Sequence, residues 1–68
     1  MKKRELEIII LAAQGLPDGG IARRLGVCRN TISMTLSRLY DKYRVPCKMS
    51  LVILALREGY IHLEEIPT

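Results

Sequence analysis

Glycine and proline divide this sequence into four segments, and within each segment apolar residues recur at the spacing of one helix face. The divisions fall at Gly15 and Pro17, at Gly26, at Pro46 and at Gly59. Glycine is common just after the last turn of a helix, and proline cannot continue one, so these positions mark helix ends. The pattern predicts an all-α domain of four helices.

The length of the chain limits what it can do. Sixty-eight residues are enough for one domain. A domain of this size buries only about 60% of the surface that its unfolded chain exposes, which leaves little room for a substrate cleft. We assign residues 1–61 to the domain and residues 62–68 to a short C-terminal tail. With one histidine and no paired catalytic group, the chain is not expected to be an enzyme.

The first two helices are predicted from short apolar stripes. The stripe of the first, at i, i+3, i+4 and i+7, consists of Leu6, Ile9, Ile10 and Ala13. The inward face of the second consists of Ile21, Ala22 and Leu25. Asp18 is expected to cap the second helix by accepting hydrogen bonds from its free backbone N–H groups. Gly26 ends that helix, and a tight turn leads into the next.

The third helix, predicted over residues 29–43, has one apolar and one polar face. Its apolar stripe is Ile32, Leu36, Leu39 and Tyr43, with Tyr40 at the edge. Its opposite face carries Arg29, Asn30, Ser33, Met34, Ser37, Arg38 and Asp41. A merely solvated face usually carries Glu and Lys, whereas this one has small hydrogen-bonding groups flanked by arginines. Two short helices joined by a tight turn, the second polar outward, are the outline of a helix-turn-helix.

Positive charge is concentrated in the middle of the chain. Residues 23–48 hold seven cations and one anion, Asp41, so this segment has a charge of 7 − 1 = +6, while the whole chain has +4. The cations are Arg23, Arg24, Arg29, Arg38, Lys42, Arg44 and Lys48. A basic block suits a polyanion such as the phosphate backbone, although charge alone does not distinguish this role from a solvated face.

The cysteines and the histidine argue against a disulfide scaffold and against a metal site. Cys28 and Cys47 lack metal-ligand spacing, and we expect both side chains to be buried or half-buried. His62 lies in the predicted tail. No apolar run reaches the roughly 20 residues of a membrane helix, and the N-terminus lacks the pattern of a signal peptide. We therefore expect a cytoplasmic protein with no metal, no cofactor and no membrane partner.

Matches to one known family run along nearly the whole chain, from Arg4 to Ile61. They comprise Arg4-Glu5-Leu6-Glu7, Leu11-Ala12-Ala13-Gln14-Gly15-Leu16, Ile21-Ala22, Leu25-Gly26-Val27, Thr31-Ile32, Lys42, Val45, Lys48 (where the family usually has arginine) and Gly59-Tyr60-Ile61. In these residues the chain resembles the LuxR-type helix-turn-helix domain, also known from GerE and from the output domains of NarL-like response regulators. The resemblance implies a four-helix DNA-binding domain.

The chain departs from the family pattern at the starts of two helices and within the third. Pro17-Asp18-Gly19-Gly20 stands where the family often has a capping box, Ser-Asn-Lys-Glu. Cys28 stands where it usually has serine, and Ser33 and Thr35 replace a frequent lysine and a frequent histidine. We expect the fold and general DNA binding to survive these changes, but not the family's usual base preference.

The resemblance places the 29–43 helix in the major groove and implies contacts for its polar face. Base contacts are implied for Ser33, Met34 and Ser37, although Met34 could equally cover neighbouring apolar surface. Contacts to phosphates or bases are expected from Arg29, Asn30, Thr31, Arg38, Lys42 and Lys48. Phosphate is favoured for these, since half or more of protein–DNA hydrogen bonds go to the backbone. Tyr40 and Tyr43 are expected to pack rather than to stack on a single strand.

The fourth helix, residues 47–58, has more apolar residues than one stripe needs. The family pairs through its last helix, so we expect a homodimer seam formed by Met49, Val52, Ile53 and Leu56. Leu51, Leu54 and Ala55 would then face the core.

The function that these observations predict is a stand-alone, sequence-specific transcription regulator that binds double-stranded DNA as a homodimer. The alternative is a protein–protein adaptor that pairs through the fourth helix with a larger regulator and modulates its DNA binding. A heteromeric regulator or RNA polymerase would then be the partner. A DNA shift by the purified protein would favour the first, and a stable heterodimer without any shift would favour the second.

Overall fold

Four α-helices make up most of the structure, a computed structural model that describes residues 1–65. They are α1 (Lys3–Ala13), α2 (Asp18–Leu25), α3 (Arg29–Tyr43) and α4 (Lys48–Arg57), followed by a 3₁₀ turn at Leu63–Glu65. No strand occurs among residues 1–65, and the predicted all-α fold is confirmed. Positions 66–68 of the predicted tail lie outside the described residues. None of the described helices combines the length and the apolar composition needed to cross a bilayer.

A left-handed glycine forms the turn between α2 and α3. Gly26 has φ +71° and donates its backbone N–H to the carbonyl oxygen of Ala22. The N–H of Val27 donates to the same oxygen at 3.0 Å. Residues with a Cβ rarely adopt this conformation, so the tight connection between the two helices depends on glycine at this position.

The end of α3 is formed by an arginine in the same unusual conformation. Arg44 has φ 55° and ψ 48°, and its N–H donates to the carbonyl oxygen of Tyr40. For a residue with a Cβ this conformation costs about 1–2 kcal/mol. Val45 packs partly buried against the core directly afterwards. α3 therefore ends at Tyr43, the end predicted from the sequence, and Arg44 turns the chain away from the helix axis before Pro46.

The core is built from apolar residues of all four helices and of the segment that follows them. It consists of Ile8, Ile9, Leu11, Ala12, Ile21, Ala22, Ile32, Leu36, Leu39, Leu51, Val52, Ala55 and Ile61. Full burial of an isoleucine or leucine side chain contributes about 1.5–3 kcal/mol. α2 packs against α3, and α1 packs against both α2 and α4. α3 thus enters the core with Ile32, Leu36 and Leu39, and the side opposite to them faces solvent.

The orientation of α4 differs from the prediction. Val52, expected on an outward seam, is only 6% exposed, and Leu56 is half-buried against the core. Leu54, expected in the core, is half-buried as well. The reason is that α4 packs against both α1 and α3, so its buried sector is wider than one stripe. Among the large apolar residues of α4, Met49 and Ile53 are the exposed ones, at 63% and 50%.

The expectation that both cysteines are buried or half-buried is wrong. Cys28 and Cys47 are exposed, because they occupy the positions just before α3 and α4, where the chain turns at the surface. Cys28 has extended backbone angles (φ −73°, ψ 146°) and its side chain makes no capping hydrogen bond to α3. The residue does stand at the predicted start of the third helix.

Replacing Cys28 with serine should stabilise the domain by about 1 kcal/mol. Serine is a preferred residue at this position, since its hydroxyl accepts a hydrogen bond from a free backbone N–H of the first turn. Urea denaturation gives the free energy of unfolding, and Cys28→Ala is the matched control, because alanine has no side-chain acceptor. Equal free energies of unfolding for the serine and alanine variants would show that no cap forms here.

Candidate nucleic-acid interface

The predicted contact residues of α3 lie on its outward side. The exposed ones are Arg29, Asn30, Thr31, Met34, Ser37, Arg38 and Lys42. Met34 is 61% exposed and lies between two serines, Ser33 and Ser37. Ser33 alone among the predicted contacts of this helix is half-buried. The outward side therefore combines hydroxyl groups, one amide, a thioether and three cations.

A buried threonine supports one edge of this surface. Thr35 is 8% exposed, and its Oγ1 donates to the carbonyl oxygen of Thr31 at 2.8 Å. Nη2 of Arg38 donates in turn to Thr35 Oγ1 at 3.5 Å, a long bond. Thr35 thus belongs to the inward half of α3, where a hydroxyl is tolerated because it is hydrogen-bonded within its own helix. Arg38 extends outward from it.

One carboxylate joins the first residues of α2 and α4 to the middle of α3. Asp18 Oδ1 accepts from Nζ of Lys48 at 2.8 Å, and Asp18 Oδ2 accepts from Oγ of Ser33 at 3.1 Å. The expectation that Asp18 caps α2 is wrong. Pro17 is the capping position, Asp18 is already inside the first turn, and its side chain turns toward α3 and α4 instead. Two predicted contact residues, Ser33 and Lys48, are therefore bound to the protein's own carboxylate.

The charge of Asp18 is maintained by its partners. The hydrogen bond from Lys48 holds the pKa of the Asp18 carboxyl below its ordinary value of 3.8, partial burial opposes this, and the hydrogen bond from Ser33 lowers the pKa further. Arg29 adds a weaker attraction. The side chains of Lys48 and Asp18 are 32% and 26% exposed, so water still screens the pair. Asp18 is therefore ionised at neutral pH.

The sequence carried no local signal for this cluster. Ser33 lies 15 residues from Asp18 and Lys48 lies 30 residues away, so only the packing of three helices brings them together. One hint was available, because Asp18 and Asp41 are the two carboxylates between residues 8 and 57, a stretch otherwise rich in cations.

The tyrosines pack at the end of α3 as expected. The rings of Tyr43 and Tyr60 meet edge to face with centroids 6.2 Å apart. Removal from water raises the pKa of the Tyr43 hydroxyl, and the neighbouring Tyr60 contributes to the shift. Nζ of Lys42 lies 5.6 Å from the centroid of the Tyr43 ring, a distance at which a cation is attracted to the ring face. This contact leaves the Lys42 side chain exposed.

The described residues place no group of three or more histidine, cysteine, aspartate or glutamate side chains where it could hold a metal ion. What the surface does offer is an exposed helix face of hydrogen-bonding side chains, with cations along it and at the start of α4. Such a face can donate to and accept from polar edges while neutralising an anionic backbone. Chemically, it is an interface suited to a polyanion.

Replacing Asp18 with asparagine should reduce stability at neutral pH and leave it unchanged in strong acid. The pKa of this carboxyl is lower in the folded than in the unfolded protein. Its contribution is therefore fully present above pH 3.8, the ordinary value, and is lost as the pH falls through the folded pKa. Urea denaturation at a series of pH values measures this, with Asp41→Asn as the control for loss of a carboxylate from an exposed position. A stability difference that does not vary with pH would contradict it.

Comparison with known proteins connects this surface to a family. The model of a family described as bacterial regulatory proteins, luxR family (GerE), matches residues 2–55, which include α1, α2, α3 and most of α4. The chain is also 32% identical over 63 residues to the transcriptional activator protein ExaE of Pseudomonas putida. That match covers 93% of this chain and 29% of the relative. No solved structure matches. The helices described above are thus those of a luxR-type helix-turn-helix, and the chain belongs to the luxR family of bacterial regulatory proteins.

Proposed function

We propose that this chain is a transcription regulator that binds double-stranded DNA sequence-specifically, with α3 in the major groove. The observation that carries the proposal is the exposed polar side of α3, held outward by Ile32, Leu36 and Leu39 in a fold of a regulatory family. The relative to which the chain is 32% identical is named as a transcriptional activator. The chain spans 29% of that protein's length, so the activity of the whole relative is not assigned to this chain.

The dimensions of α3 suit this role. A helix with its side chains is about 10–12 Å in diameter, and the major groove is about 12 Å wide. The 15 residues of α3 extend over about 22 Å. In this arrangement Ser33, Met34 and Ser37 face base edges. Serine can donate to or accept from a base, and the thioether of Met34 can pack against a thymine methyl group.

Cations and small polar groups around these three residues would hold the phosphate backbone. They are Arg29, Asn30, Thr31, Arg38, Lys42 and Lys48. All except Lys48 are exposed. Lys48 is half-buried and paired with Asp18, but an ammonium group has three N–H donors, and one contact leaves two for a phosphate. Arg38 and Arg29 lie on opposite sides of Ser33 along the helix, so they would reach the two backbones that border the groove.

Pairing of two copies would supply the contact area that one small domain lacks. Met49 and Ile53, which we call the α4 patch, lie one turn apart and expose more than a third of their surface. Such apolar side chains are favourable at an interface and unfavourable in water. We therefore assign the homodimer seam to the α4 patch. Two α3 helices related by a two-fold axis would then read half-sites about one helical turn apart.

Replacing Arg38 tests the electrostatic part of the proposal. Binding to a duplex selected from a randomised pool should weaken as salt rises, and Arg38→Ala should make the slope of log affinity against log salt shallower by about 0.9 for each phosphate that is no longer neutralised. Arg57→Ala is the matched control, since Arg57 is an exposed arginine in the last turn of α4. An equal change of slope in both variants, or none in either, would remove Arg38 from the contact surface.

The α4 patch tests the homodimer. Met49→Asp and Ile53→Asp should remain folded, because both side chains are largely exposed, and should sediment as monomers that bind the selected duplex weakly. Leu63→Asp is the control, since Leu63 is 73% exposed but lies outside α4. A wild-type protein that is monomeric on its duplex would contradict the seam. Failure of the wild type to bind any duplex, together with co-purification of a larger regulator, would support the adaptor instead.

A further inference from the structure

The hydrogen bond between Ser33 and Asp18 has a definite direction. A serine hydroxyl has one hydrogen and two lone pairs, so it can donate once and accept twice. An ionised carboxylate can only accept. Since Asp18 is paired with the Lys48 ammonium at 2.8 Å, it is a carboxylate, and the 3.1 Å contact from Ser33 Oγ uses the only hydrogen of that hydroxyl.

This direction determines what Ser33 has left to offer a base. With its hydrogen committed to Asp18, the hydroxyl of Ser33 presents lone pairs only. In the major groove the exocyclic amino groups of cytosine (N4) and adenine (N6) are donors, whereas guanine offers N7 and O6 and thymine offers O4, all acceptors. A serine held in this way can accept a hydrogen bond from cytosine or adenine, but it has no hydrogen to donate to guanine or thymine.

We propose that Asp18 is a specificity-determining positioning residue: it fixes Ser33 as a hydrogen-bond acceptor and thereby selects cytosine or adenine at the base that Ser33 contacts. The proposal rests on the proposed function, since it requires that α3 read bases. Asp18 touches no base. It acts through Ser33, and Lys48 holds it in place from the start of α4. Ser37, which is exposed and has no such carboxylate among its described hydrogen bonds, stays free to donate or accept.

The test first locates the base that Ser33 contacts. Duplexes are selected from a randomised pool with the wild-type protein. Each base pair of the selected duplex is then varied, and the affinity of every variant duplex is measured for the wild type and for Ser33→Ala. One position should lose its preference in Ser33→Ala while the others keep theirs. At that position the wild type should prefer cytosine or adenine. The affinity should exceed that for guanine or thymine by about three- to ten-fold, which is the contribution of one hydrogen bond between neutral groups.

Removing the exocyclic amino group then tests the direction of the bond. Purine in place of adenine, or 2-pyrimidinone in place of cytosine, should weaken wild-type binding by about the same three- to ten-fold factor. Ser33→Ala should be insensitive to the change, which controls for weakened base pairing. Asp18→Ala should lose most of this discrimination, because its Ser33 hydroxyl is free to rotate and donate. Asp41→Ala removes an equal charge from the exposed side of α3 and should discriminate as the wild type does.

The possible outcomes distinguish the role of Asp18 from the proposed sequence-specific binding of DNA. A wild-type preference for guanine or thymine at the Ser33-dependent position would overturn it while leaving sequence-specific binding intact. So would full discrimination in a folded Asp18→Ala. If Asp18→Ala does not fold, the test rests on the binding of the wild-type protein to duplexes that lack the exocyclic amino group, since this measurement needs no variant of Asp18. A wild-type protein that binds no duplex, or a Ser33→Ala variant with unaltered preferences, would overturn the inference together with the base contact on which it depends.

Discussion

The burial of one stripe of α3 determines which side of that helix faces solvent. Ile32, Leu36 and Leu39 are almost completely inaccessible, and rotating α3 by half a turn would expose all three. At about 1.5–3 kcal/mol for each side chain, such a rotation would exceed the few kcal/mol by which a domain of this size is stable. The core therefore holds the polar side of α3 toward solvent. Because the side chains on that polar side do not form the core, they can serve binding without being needed for stability.

The carboxylate of Asp18 adds a second, weaker constraint at the junction of three helices. Its ion pair with Lys48 is about a third exposed, so screening by water limits its contribution to stability. Its geometric effect is larger. Where a capping residue would have bonded locally, this side chain instead reaches α3 and α4, and it fixes both a hydroxyl and an ammonium group beside the polar side of α3. A stretch with little local helix preference, Gly19 and Gly20 included, is thus tied down by long-range contacts.

α4 serves two neighbours at once, and this explains the division of its apolar residues. Leu51, Val52 and Ala55 are buried in the core, while Met49 and Ile53 remain exposed. A stripe at i, i+3, i+4 and i+7 was predicted to form one outward seam, but its members Val52 and Leu56 belong partly or wholly to the core. Periodicity shows that a helix has an apolar sector and its approximate width. It does not show where a second helix will contact that sector.

Local sequence patterns were enough to establish the all-α class, the approximate starts and ends of the helices and the exposed side of α3, because helix spacing, glycine and proline act within a few residues. They also indicated which cations and hydroxyls lie together on that side. The structure was needed to show how α4 turns, that both cysteines are exposed, that Arg44 adopts a left-handed conformation and that Asp18 pairs with Ser33 and Lys48. The orientation of α4 and the contacts of Asp18 depend on groups that are distant in sequence and meet through packing. No local pattern records which of several possible partners an exposed charge or a half-buried side chain will contact.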